Sequence, residues 1–379
     1  MLGMDDDSNS NKIRMNHSRK GEHLKISIDR DVQFKNITTG FENYSFVHQA
    51  LPDLDLEKID TSIKFLGKDL RIPIIISSMT GGIKEAKHIN LTLARAAQEK
   101  GLAMGVGSQR VSIDNRNVEN TYRVRSVAPD ILLFANLGAV QLNYGYGLGE
   151  CRRAVDMIDA DGLILHLNPL QEALQVGGNS NFTCLLEKIG AICDGIGVPV
   201  VVKEVGWGIS EDVALLLSGI NISAIDVAGS GGTSWSEIEK YRMGEMVMQN
   251  IAESFNGWGI PTSESITMVR RAVPHLPLIA SGGIRTGVDA AKAIALGADA
   301  VGIAMPLFRA ATRSFESVIH FIEEIEIGLK IAMFCIGAGD ISKLKLTPHL
   351  ITLRKHLKIL QREHIYCCLK PFRKRILSL

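Results

Sequence analysis

Hydrophobic residues in this chain come as short uninterrupted runs, each ending in a polar or glycine-rich loop. Ile72-Pro73-Ile74-Ile75-Ile76 is stopped by Ser77-Ser78-Met79-Thr80-Gly81-Gly82. A β-branched run without polar alternation predicts a strand buried on both faces, as in parallel sheets covered by helices. The period then changes: Ile89, Leu93 and Ala97 share one face of a helix expected over 86–100.

The same unit recurs along the chain. Leu102 to Val106 leads to Gly107-Ser108-Gln109-Arg110, and Ile131 to Ala135 leads to Asn136-Leu137-Gly138. Leu163 to Leu165 ends in His166-Leu167-Asn168-Pro169-Leu170-Gln171-Glu172, and Val200 to Val202 in Lys203-Glu204. Ala224 to Val227 leads to Gly229-Ser230-Gly231-Gly232-Thr233, Leu278 to Ala280 to Ser281-Gly282-Gly283-Ile284-Arg285, and Ala300 to Ile303 to Ala304-Met305-Pro306. About eight strand-then-loop units predict an α/β fold, a (β/α)8 TIM barrel. The loop after Val227 is long, with helical patterning resuming only over 263–272, and a lid or wall carrying Trp235 and Trp258 is expected there. A short hairpin is expected within 44–70 and a closing helix over 315–330.

The ends read differently. Residues 1–18 are polar and are expected to be a disordered leader, 19–347 the barrel with an N-terminal arm, and 348–379 a basic helix and tail. The tail is not read as a nucleic-acid arm, because 42 Lys and Arg against 41 Asp and Glu give a net charge of +1. Anion sites must therefore be local. Six cysteines without paired metal spacing, no signal peptide and no long apolar span predict a reduced cytoplasmic protein that contacts no membrane. With 46% hydrophobic residues the chain can bury a large core.

Candidate chemistry sits where the strands end, since residues distant in sequence converge at a barrel's carboxyl face. Backbone N–H groups of Gly282-Gly283-Ile284-Arg285 and Ala304-Met305, at helix starts, could cradle a phosphate, or the glycines could simply permit tight turns. Lys203 could stabilise negative charge on a cofactor ring or substrate, or pair with Glu204 as a plug. Glu172 is the carboxylate placed to hold a hard cation, with a helix-start charge as the alternative. His166 stays open between general base and scaffold, and on pattern alone Arg19-Lys20-Gly21-Glu22-His23 is a solvated charge run.

Taken together, Arg19-Lys20-x-Glu22-His23, Ser78-Met79-Thr80-Gly81-Gly82, Gly107-Ser108-Gln109-Arg110, the stretch from His166 to Glu172, Lys203-Glu204-Val205-Gly206 and Ser281-Gly282-Gly283-Ile284-Arg285 resemble the type 2 isopentenyl-diphosphate isomerases. The resemblance implies an FMN-dependent barrel enzyme that interconverts isopentenyl and dimethylallyl diphosphate, with reduced flavin, Mg²⁺, and NADPH as reductant of the flavin. It implies flavin contacts at Ser78, Met79, Thr80, Ser108, Asn136, Lys203, Thr233, Gly283, Ile284, Arg285, Ala304 and Met305. The diphosphate falls on Arg19, Lys20, Ser108, Gln109, Arg110 and Gln171, the metal on Glu172, and the catalytic position on Gln171. A homo-oligomer, tetramer or octamer, is implied as well. The alternative on the same barrel is an FMN-dependent oxidoreductase of the hydroxy-acid oxidase type. It would need a catalytic histidine beyond the seventh strand, and His275 precedes that strand.

Overall fold

All eight strands expected from the apolar runs form, in a computed structural model that describes residues 19–352. The expected leader, residues 1–18, and the basic tail from residue 353 onward lie outside the described residues. Residues 19–29 are helical (α1). Tyr44–Phe46 (β1) and the expected hairpin, Ile63–Phe65 (β2) against Lys68–Leu70 (β3), precede the barrel. Then come Ile74–Ile76 (β4), Lys84–Lys100 (α2), Ala103–Gly105 (β5), Arg110–Asp114 (α3), Leu133–Gly138 (β6), Leu148–Ile158 (α4) and Gly162–Leu167 (β7). Pro169–Leu174 (α5), Leu185–Gly195 (α6), Val200–Glu204 (β8), Glu211–Ser218 (α7) and Ala224–Asp226 (β9) follow. The long loop holds two short helices, Trp235–Lys240 (α8) and Met246–Ser254 (α9), before Thr262–Ala272 (α10). Leu278–Ser281 (β10), Gly287–Ala295 (α11), Ala300–Ile303 (β11), Met305–Ala311 (α12), Phe315–Cys335 (α13) and Ile341–Lys345 (α14) complete the shell.

The order β10-β11-β4-β5-β6-β7-β8-β9 closes on itself with every neighbour parallel. Because successive side chains alternate faces, each strand contributes one residue to an apolar layer inside the barrel: Ile75, Ala103, Phe134, Ile164, Val201, Ala224, Ile279 and Ala300. Phe65 and Leu70 of the hairpin join this interior cluster and plug one end of the barrel. The flanking Ile74, Ile76, Val200, Val202, Leu278 and Ala280 pack outward into the helical shell.

Two equivalent fastenings lie on opposite sides of the barrel, each joining the starts of two neighbouring strands. Arg125, four residues before Pro129, donates to the carbonyls of Ala128 (3.2 Å), Pro129 (3.3 Å) and Ile131 (2.9 Å) and to Asp161 Oδ2 (2.6 Å). Arg270, four before Pro274, repeats this on Val273 (3.2 Å), Pro274 (2.7 Å), Leu276 (3.0 Å) and Asp299 Oδ2 (2.7 Å). Each aspartate also accepts the backbone N–H of Leu133 or Leu278, both at 2.9 Å. The planar guanidinium fork satisfies a cluster of carbonyls at a strand start that would otherwise lack donors.

One expectation changes at the end of the chain. Where the terminal helix was expected, Leu350–Thr352 is a strand (β12), antiparallel to β1 with Thr352 opposite Tyr44. A short Leu-Ile-Thr segment beside an unpaired strand edge gains ladder hydrogen bonds that a helix start would not.

Candidate active site

Two residues beyond the apolar layer, on the same inward face of each strand, stand Ser77, Gly105, Asn136, His166, Lys203, Asp226, Ser281 and Gly302. This polar ring is the floor of a cavity at the carboxyl end of the barrel. Asn136 Nδ2 donates to Val106 O (3.1 Å), so its Oδ1 accepts from His166 Nδ1 at 2.8 Å. Burial, with Lys203, Lys20 and Arg110 adding to it, pushes the His166 imidazole down to about 3. It is neutral and fixed, which favours the scaffold reading over the general base. Lys203 donates to Glu204 O (2.8 Å) and lies 3.5 Å from Asp226 Oδ2. The alternative pairing with the Glu204 carboxylate does not form, because adjacent strand residues point to opposite faces. Glu204 Oε2 instead accepts the backbone N–H groups of Val205, Gly206 and Trp207 (2.6, 2.7 and 2.6 Å), while burial pushes its carboxyl up to about 7.

One wall is built for a flat polar group. The hydroxyls of Ser77 and Ser78 are buried with no hydrogen-bond partner, and both line the cavity with Met79, Thr233, Gly283, Ile284, Arg285, Ala304 and Met305. Orphaned buried polar atoms of this kind mark a place for a ligand. Gly283 has φ 76°, and a Cβ there would stand 2.3 Å from Thr39 Cγ2. Of the residues expected to form a phosphate cradle, Gly282, Gly283, Ile284, Ala304 and Met305 line the cavity, while Asp289 takes the N–H groups of Arg285 and Thr286 (3.2 and 3.0 Å) to cap α11.

The other wall is charged. Arg19 and Lys20 of α1 reach the cavity beside Ser108 and Arg110, so the cluster is not a solvated run. Lys20 Nζ donates to Ser108 O (3.2 Å), which Tyr122 also holds (2.8 Å). Burial, then Arg19 and Arg110, bring the Lys20 ammonium down to about 7. In the same lining, Glu172 on α5 accepts from Asn168 (3.1 Å), Gln175 (3.3 Å) and the backbone of Asn179 (2.6 Å), while Asn168 Oδ1 is buried and unpartnered. Gln171 sits between Asn168 Nδ2 (3.1 Å) and Glu239 Oε1 (3.3 Å).

Two named residues stand outside the lining. Gln109 is fully buried behind it, donating to Ala154 O (2.8 Å) and accepting from Asn136 N (2.9 Å), so its side chain braces β6 against α4. Thr80 is fixed through its carbonyl by Gly107 N (3.0 Å) and Asn90 Nδ2 (3.2 Å). Ser230, in the loop after β9, is buried and donates to Gly206 O (3.1 Å). Trp258 is exposed and packs on Phe255, whereas Trp235 lines the cavity.

No role for Glu239 or His23 was legible in the sequence. On α8, Glu239 follows Trp235 by four residues, and on α1, His23 follows Arg19 by four, which puts each pair on one helix face. His23 Nε2 meets Glu239 Oε1 at 2.9 Å and its ring meets Trp235 at 5.3 Å. Burial alone would raise the Glu239 carboxyl, but His23 and Arg242 (2.6 Å) outweigh it and hold it below its ordinary value. Helical spacing on the lid was the available signal.

A profile of the FMN-dependent dehydrogenase family matches residues 15–123 and 166–352. The isopentenyl-diphosphate delta-isomerase of a Nostoc species is 51% identical over 328 residues, 86% of this chain and 94% of its own. That of Oceanobacillus iheyensis is 47% identical over 341 residues, 90% of this chain and 98% of its own. Among solved structures, an (S)-mandelate dehydrogenase variant aligns with TM-score 0.61 at 16% identity, covering 91% of this chain and 99% of that one. A mandelate oxidase variant gives 0.59 at 18%, covering 89% and 98%. The structural likeness establishes the (β/α)8-barrel fold, and identity near one half over most of both chains establishes more: this chain belongs to the isopentenyl-diphosphate delta-isomerase family, and its sequence matches the FMN-dependent dehydrogenase family.

Proposed function

We propose that the protein is an FMN-dependent isomerase that interconverts isopentenyl and dimethylallyl diphosphate, with Mg²⁺ at Glu172 and NADPH as reductant of the flavin. The observation that carries the reading is that Arg19, Lys20, Arg110 and Glu172 line one cavity together with a glycine-rich, hydroxyl-bearing set of strand-end residues. A diphosphate needs several cations, and a redox cofactor alone would not. The donor set fits each group. Ser77 and Ser78 offer free hydroxyls and Gly283 close backbone approach to FMN, and Lys203 offers a cation. Glu172 and the free Asn168 Oδ1 are hard oxygen donors. Mg²⁺ needs only one or two protein carboxylates and completes its shell with water and diphosphate oxygens, so Glu172 could serve alone.

When bound, reduced FMN supplies acid/base chemistry for moving a proton between the ends of a three-carbon unit. Arg19, Lys20 and Arg110 would fix the diphosphate and so the register of that unit. Gln171 has no titratable proton at neutral pH, and its amide would orient the substrate. Its Nε2 donates to Glu239 Oε1, which also meets His23 Nε2, so the carboxylate holds the amide and the imidazole in one fixed arrangement. Trp235 and α1 would exclude water from above.

Dithionite-reduced enzyme with isopentenyl diphosphate and Mg²⁺ under anaerobic conditions should yield dimethylallyl diphosphate over many turnovers without consuming further reductant. Consumption of one reducing equivalent per product would replace this reading with the oxidoreductase, against which stands the absence of His275 from the cavity lining. The reading extends to a cytoplasmic homo-oligomer, tetramer or octamer. Exposed Met246, Val247 and Trp258 support a covered face, and no helix among the described residues is long and apolar enough to cross a membrane. Light scattering on the purified protein tests the assembly.

A further inference from the structure

The polar floor contains one carboxylate, Asp226, to which the roles above assign nothing. It ends β9, between Lys203 on β8 and Ser281 on β10, and the β8–β9 register sets it directly beside Lys203. The residue is 4% exposed. Its Oδ2 lies 3.5 Å from Lys203 Nζ, and its Oδ1 accepts from Ser281 Oγ (2.6 Å) and Ala228 N (3.2 Å). Lys203 and Ser281 line the cavity, whereas Asp226 stands immediately behind them. Two neutral donors would hold an amide oxygen as well as a carboxylate oxygen, so packing does not explain the charge. A buried carboxylate is retained at a cost unless a nearby cation compensates it.

We propose that Asp226 is the counter-charge of Lys203 and sets how much positive potential the cavity presents to the flavin, and hence the flavin's reduction potential. The inference rests on FMN occupying this cavity. Reduction takes two electrons from dithionite and one proton from solvent, leaving an anionic reduced flavin. A lysine stripped of its carboxylate stabilises that anion more, and a missing lysine stabilises it less.

The test is a potentiometric titration of FMN-loaded enzyme at pH 7 against a reference dye. D226N, which keeps the size and both accepted hydrogen bonds, should favour the reduced flavin at least tenfold, an upward shift of about 30 mV for a two-electron couple. K203M should move the equilibrium at least tenfold the other way. The double variant K203M/D226N removes both charges and should return to within a few-fold of wild type, and it keeps the test open if D226N leaves a buried lysine too costly to fold. A D226N potential unchanged or lowered, or a double variant equal to K203M, overturns the proposal. Wild-type protein that takes up no FMN would instead remove the functional reading. Wild-type protein that binds FMN and isomerises, with the variant potentials coinciding, removes only this inference.

Discussion

Lys20→Met should have two effects of opposite sign, because the site that receives the diphosphate is electrostatically unfavourable while empty. The ammonium falls from 10.5 to about 7, chiefly by burial and then by Arg19 and Arg110. At about 1.4 kcal/mol per pKa unit this would cost roughly 5 kcal/mol if desolvation were complete. Lys20 is half-buried, and solvent screening reduces the figure to about 2 kcal/mol. Between pH 7 and 10.5 the unfolded chain holds a proton that the folded chain has released, so stability from this group rises with pH across that window and the cost is complete below it. The anion-free variant should therefore be about 2 kcal/mol more stable than wild type at pH 7, and should show no such rise. Its affinity for Mg²⁺-pyrophosphate should be roughly ten- to hundredfold lower, the loss of a charge-assisted hydrogen bond of about 1.5–3 kcal/mol. Wild-type binding should weaken above pH 7, as Lys20 must regain its proton, with a break that the variant lacks. Urea unfolding in anion-free buffer and calorimetry across pH 6–9 measure both. A variant less stable than wild type without anion, or one binding pyrophosphate equally well, would refute the reasoning.

Three further outcomes follow from single contacts. Glu172→Gln should raise the Mg²⁺ concentration needed for half-maximal turnover at least tenfold while FMN stays bound, and superimposable titrations would remove the metal from Glu172. Gly283→Ala forces a Cβ to 2.3 Å from Thr39 Cγ2 at a φ of 76°, so FMN retention on gel filtration should fall at least tenfold with the circular dichroism of the barrel unchanged. Asp299→Ala leaves the Arg270 fork, Lys345 and Leu278 N without their shared acceptor. It should lower unfolding free energy by about 2–4 kcal/mol in urea, with Asp161→Ala comparable because its fastening is equivalent.

The apolar runs determined the barrel by themselves, because a strand covered by helices on one side and by its own barrel interior on the other must be apolar throughout. For the same reason they concealed the site. A run such as Val200-Val201-Val202 does not say which residue points inward, so a plug formed by Lys203 and Glu204 stayed open beside a role for Lys203 at the site. Closure decided it: Val201 faces in, Lys203 two places on faces in with it, and Glu204 turns away to three backbone N–H groups. The partner of Lys203 is Asp226 from the next strand, a contact set by register. Gln109 shows the converse, a residue inside a motif whose side chain the fold turns behind the wall. Arg19 and Lys20 carried no local signal beyond charge, and their motif pointed to the diphosphate only through resemblance. What brings them to Ser108 is the docking of α1 on α8 through His23, Glu239 and Trp235. That contact joins segments more than two hundred residues apart, and local periodicity cannot encode a distance that only the closed barrel and its lid make short.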